Sequence, residues 1–173
     1  MANTTARKPD RMLLGIGIVV AGFGAYLMLV GFGLVPEPSR SHAPGFVIAC
    51  AGLAFAAGGM AVLIRGYLGM SDKESDLPPD TARGVVALAY LCGNLVVASL
   101  AMIGTWIAFG GGSRAFSIAG PFVSGSLGET IGRTIFGIAA IVTWLALIVM
   151  IRVSIQKVRA LPKRSAASAS AAP

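Results

Sequence analysis

The sequence predicts an all-α membrane protein: a four-helix transmembrane bundle with both termini cytoplasmic and one longer outer loop between the third and fourth helices. Three observations carry this. The 173-residue chain is 55% hydrophobic and only 12% charged, against about 25% charged in typical soluble domains, and its mean hydropathy is +0.80. Its charges are clustered, which leaves four stretches almost bare of Asp, Glu, Lys and Arg. Each stretch is close to the ~20 residues that cross a bilayer core as a helix. The basic residues between them collect on alternate sides, as cytoplasmic ends do.

The first span covers residues 12–35, from Met12 to Val35, and Pro36 is expected to stop it by removing a backbone donor. With Arg7, Lys8 and Arg11 ahead of it and Ser41-His42-Ala43 behind, this region imitates a secretory signal. The apolar run is too long for an h-region of about 7–15 residues, and Pro44 directly follows the small-x-small site, so the segment reads as a retained anchor. The connection 37–43 is short and brings the second span, 44–64, back antiparallel beside the first. Residues 65–83 form a polar inner linker carrying SDKESDLPPD, whose Pro78-Pro79 pair blocks a continuous helix.

The third span is 84–109. The outer loop 110–126 follows, in which Gly110 to Gly112 release helix geometry and Phe116 and Ile118 alternate with Ser117 as a strand-like face of a short hairpin. Ser126 and Glu129 have capping-box spacing, so the fourth span is set at 127–153. The last segment, 154–173, is basic and then low-complexity, a tail too poor in apolar side chains to order itself. The expected order is therefore an N-terminal cytoplasmic stretch 1–11, a membrane domain 12–153 and this tail.

Orientation follows from the basic residues. Arg7, Lys8, Arg11, Arg65, Lys73, Arg83, Arg152, Lys157, Arg159, Lys163 and Arg164 lie on one side, and Arg40, Arg114 and Arg133 on the other. The positive-inside rule then puts both ends in the cytosol. The net charge of +7 is explained by this topology, and no aromatic-basic interleaving points to nucleic acid. An excess of Arg over Lys with abundant Ala and Gly suggests a GC-rich bacterial source, hence an inner membrane.

Lipid tails are as apolar as leucine, so helices in a bilayer associate through small residues and a few hydrogen bonds. In the first span Gly17, Gly24 and Gly31 recur every seven residues, and Gly17, Ala21 and Ala25 every four. In the second, Gly45, Ala49, Gly52, Ala56 and Gly59 alternate steps of four and three along one face. These residues are the candidate packing seams. Asn94, Ser99 and Thr143 are the candidate intramembrane polar groups. Asn94 and Thr143 both fall about 15 Å from the inner ends of their predicted spans, which suggests that they pair. Trp106 and Tyr67 suit the outer and inner aromatic belts, and Trp144, deep in its span, suits packing within the bundle. Arg114, Glu129 and Arg133 form a candidate ion cluster on the outer surface, where Glu129 and Arg133 stand four apart on one helix face. This cluster would orient a cap or, with Phe116 and Phe122 as a floor, hold an anion or a lipid headgroup.

Function is less legible. No catalytic, cofactor or metal motif is present: His42 stands alone, and no Asp, Glu, His, Lys or Arg lies well inside a span. Cys50 and Cys92 fall at different depths and are expected as free thiols. The leading expectation is a non-enzymatic structural or accessory subunit that packs through its Gly/Ala faces, as a homo-oligomer or in a larger membrane complex, and presents its outer loop. The alternative is an oligomeric channel or transport component lined by small polar residues such as Asn94, Ser99 and Thr105.

Overall fold

The computed structural model describes residues 8–36, 43–70, 77–78, 81–111 and 126–160, with 126–128 as backbone only. These residues form four helices and no strand: α1 (Arg11–Gly31), α2 (Gly45–Tyr67), α3 (Arg83–Phe109) and α4 (Ser126–Ala160). Each is long and apolar enough to cross a membrane.

The helix ends have chemical causes that hydropathy does not register. Asp10 caps α1, its side chain accepting from the amides of Met12 at 2.9 Å and Leu13 at 3.3 Å. At its other end α1 stops at Gly31, four residues before the expected Val35. Gly33 takes φ 72° there, Leu34 N–H donates to the Leu29 carbonyl and Gly33 N–H to that of Val30, both at 2.9 Å. This is a Schellman motif, and it ends the helix before Pro36 is reached. The same device ends α2: Gly69 has φ 58°, with Met70 N–H on Arg65 O and Gly69 N–H on Gly66 O. α2 therefore runs three residues past the expected Ile64. α4 continues seven residues past the expected Val153, because Gln156, Lys157, Arg159 and Ala160 are all good helix formers.

The helices run antiparallel and meet only their sequence neighbours: α1 packs on α2, α2 on α3 and α3 on α4, and no Cα of α1 comes within 8 Å of one in α3 or α4. The expected bundle is thus an open array in chain order, with α1 and α4 as its edges. Burial follows, since α1 and α4 bury 11% and 17% of their apolar windows, against 28% and 22% for α2 and α3. At one end of the array the Asp10 amide donates to Gly66 O at 2.9 Å and Lys157 sits over the Tyr90 ring. The start of α1, the end of α2, the start of α3 and the end of α4 therefore gather there. Lys8, Arg11, Arg65, Arg83, Lys157 and Arg159 share this basic end, while Glu129 and Arg133 lie at the far end. Arg114, residues 116–118 and the tail from residue 161 lie outside the described residues, as does the Ser126 side chain proposed for the capping box.

Candidate functional site

The small-residue seams expected on the first two spans face each other. A methyl group built on Gly24 would run into the Ala56 amide, one on Gly31 into the Ala49 amide, and one on Gly59 into the Ala21 amide. From the other side, a methyl on Gly52 would lie 2.6 Å from Met28 N and one on Gly45 2.5 Å from Gly31 O. Gly17 lies against Leu63 and Gly59. The two backbones are in direct contact along this line, so any side chain larger than hydrogen at the glycines would force the helices apart. Met28 completes the α1 stripe, and Leu63 and Gly66 extend the α2 stripe toward the basic end. Both stripes alternate steps of three and four, an average of 3.5 residues, which favours a shallow left-handed crossing near 20°. The step-of-four row drifts off this line: Ala25 is exposed, so the heptad glycines define the seam. Phe23 and Phe55 flank it edge to face at 5.5 Å.

α3 and α4 meet through a second, looser seam. Ala101 and Ala108 are buried on α3 and Ala140 and Leu147 on α4. A methyl on Gly104 would reach ordinary van der Waals distance, 3.6 Å, from Ala140 Cβ, and one on Gly137 would lie 3.7 Å from Ala108 Cβ. Among the described residues, two hydrogen bonds from side chain to side chain cross this seam. Asn94 Nδ2 donates to Ser154 Oγ at 3.2 Å, and Ser154 in turn donates to Met150 O at 2.7 Å. Nearer the far end, Trp144 Nε1 donates to Thr105 Oγ1 at 3.0 Å, and Thr105 donates to Ala101 O at 2.7 Å. The bonds are about 16 Å apart along α3, so they pin the pair at two levels.

The partner of Asn94 is therefore Ser154 and not Thr143, whose hydroxyl is spent on Ala139 O of its own helix at 2.7 Å. Because α4 ends at Ala160, Thr143 stands about 25 Å from that end, and the depth match with Asn94 disappears. Ser99 is buried, with no hydrogen-bond partner for its hydroxyl among the described residues. Asn94 and Thr105 face α4, whereas Ser99, five residues beyond Asn94, lies about 140° around the helix. The three do not share one face. Trp144 is 38% exposed, at the margin of the seam and held by its indole N–H. Trp106 stacks edge to face on Phe46 at 6.5 Å and joins α2 to α3 at the far end. Tyr67 lies exposed at the basic end.

The chain matches no family model, no curated protein and no solved structure.

At the far end, Glu129 and Arg133 make the expected pair, 3.7 Å apart. Arg133 also donates to the carbonyl of Gly110, the residue that caps α3. A guanidinium there gives a donor to a terminal carbonyl at the negative end of the helix dipole. Arg133 thus clasps the start of α4 to the end of α3, a role that pairing by sequence spacing does not reveal. Arg114, the third member of the expected cluster, is not among the described residues. Cys50 and Cys92 are free thiols. No group of three or more His, Cys, Asp or Glu converges among the described residues.

The basic end of the α3–α4 seam holds a cleft of about 300 Å³ lined by Ala87, Tyr90, Leu91, Asn94, Ser154, Ile155, Val158 and Arg159. Lys157 Nζ lies 5.8 Å from the centroid of the Tyr90 ring, within cation–π range. A repeat of seven was present in the sequence here too: Ala87, Asn94, Ala101 and Ala108 on α3, and Arg133, Ala140, Leu147 and Ser154 on α4. It marks Asn94 and Ser154 as members of two facing stripes, with the register between them left to where the helices end.

Proposed function

We propose that this chain is a four-span, non-catalytic subunit of a bacterial inner membrane, with both termini cytoplasmic, that serves a structural or accessory role and presents its 110–126 loop on the outer side. The observation that carries this reading is the open array. α1 and α4 each touch a single neighbour, and the outward face of α4 is a continuous run of exposed Ile135, Ile138, Val142, Leu145 and Val149. The Gly/Ala seams are consumed within the chain, so the surface left for a second copy or a larger complex is the pair of edges. Asn94 and Thr105 are engaged in holding α4, which favours a structural role over a conducting one.

In-membrane crosslinking tests this. In a Cys50→Ser, Cys92→Ser background, Leu145→Cys on the exposed face is expected to form a crosslinked species, with itself or with a partner, while Leu147→Cys in the buried seam does not. Recovery of monomer alone from α4 and α1 edge positions contradicts the proposal.

A further inference from the structure

The cleft at the basic end of the α3–α4 seam has the character of a lipid site. Its walls are apolar: Leu91 is 53% and Ile155 45% exposed, so both look outward and not into a packed core. Its rim is cationic. Arg159 lines it, and Lys157 is steadied over the Tyr90 ring. The acidic residue of α4 is Glu129, at the opposite end of a 35-residue helix, and Arg159 has no acidic partner among the described residues. Its deep side is polar, formed by the Asn94–Ser154 pair. Counted from the basic end, Leu91 and Ile155 come before Asn94 and Ser154, so the cationic rim is followed directly by apolar walls, the order of charge and hydrocarbon in an anionic phospholipid.

We propose that this cleft binds one anionic phospholipid, with its phosphate on Arg159 and the first methylenes of an acyl chain against Leu91 and Ile155. A volume of about 300 Å³ sits at the lower end of small-ligand sites. It accommodates a headgroup and the start of a chain, with the rest of the lipid remaining in the bilayer. The proposal rests on the reading that the chain spans a membrane with this end in an anionic leaflet. It goes beyond general attraction of a basic helix end, because it requires Arg159 more than its neighbour Arg152, which is exposed on the same helix but does not line the cleft.

The test uses the full-length chain reconstituted in vesicles of phosphatidylcholine and phosphatidylglycerol. Flotation scores insertion, and native mass spectrometry after mild detergent extraction scores the lipid that stays bound. Wild type is expected to retain phosphatidylglycerol in preference to phosphatidylcholine. Arg159→Gln should float equally well and retain about fivefold less, the equivalent of about 1 kcal/mol per basic residue at an anionic surface, whereas Arg152→Gln stays near wild type. Equal losses in the two variants, or no loss in either, overturn the site while leaving membrane insertion intact. Failure of all three proteins to float overturns the membrane reading, and the site with it.

Discussion

Gly24 is the residue where the smallest chemical change has the largest expected consequence. A methyl group there collides with the backbone of α2 at Ala56, and backbone cannot rotate away as a side chain can. Gly24→Ala is expected to destabilise the α1–α2 pair by about 1–3 kcal/mol, the usual range for overpacking. Gly22, two residues away, has nothing within 4 Å of an added Cβ, and Gly22→Ala should be neutral or stabilising by up to about 1 kcal/mol through helix propensity. Denaturant titration in mild detergent separates the two, and equal effects contradict the seam. Asn94 and Trp144 supply the second residue-scale prediction. Asn94→Leu and Trp144→Phe each delete one bond across the α3–α4 seam and should cost about 0.6–2 kcal/mol apiece. Because the bonds lie more than ~10 Å apart, the double variant should equal the sum of the singles within ~0.5 kcal/mol. A clear excess in the double variant indicates one coupled network in place of two separate pins.

At the scale of elements, the Arg133 clasp joins the end of α3 to the start of α4. Removing Arg133 leaves the Gly110 carbonyl without its donor. Arg133→Met is expected to weaken this junction by about 1.5–3 kcal/mol, the worth of a hydrogen bond from a charged group, read as faster hydrogen exchange at the amides of 106–110 and 130–134. Arg133→Lys should restore part of the protection, since it keeps the charge but not the planar fork. Unchanged exchange in Arg133→Met contradicts the clasp. The presence of all four helices was legible in the sequence because an uncharged run of bilayer length admits few other readings. Their ends were legible only in part. Hydropathy marks where a chain is apolar, whereas α1 and α2 end where Gly33 and Gly69 adopt positive φ, and α4 continues through polar residues that are good helix formers. The α1–α2 seam was readable in advance because glycine and alanine at repeated steps mean close approach whatever lies opposite. Asn94 was recognised as an interhelical donor but given the wrong level for its partner, since antiparallel register depends on where both helices end.

At the scale of the whole molecule, an open array suits the proposed membrane setting, because lipid exerts no hydrophobic pressure to close it. In water a row of four apolar helices would curl to hide its faces; in hydrocarbon those faces are already solvated, and only matched small-residue stripes or polar pairs hold helices together. That is also why the order of packing was not legible: each span is apolar all round, so no polar face marks which side meets solvent. α4 is about 52 Å long at 35 residues, well beyond a ~30 Å hydrocarbon core, and its excess carries Lys157 and Arg159 at the basic end. On the proposed threading, the positive-inside rule makes this end cytoplasmic and the Arg133 clasp outer. The most direct test of that arrangement is labelling of single cysteines with a membrane-impermeant thiol reagent in intact cells, in a Cys50→Ser, Cys92→Ser background. Pro36→Cys and Gly111→Cys are expected to react at once, and Lys8→Cys and Arg159→Cys only after the membrane is permeabilised. Immediate labelling of Lys8→Cys or Arg159→Cys, or protection of both Pro36→Cys and Gly111→Cys, contradicts the four-span threading.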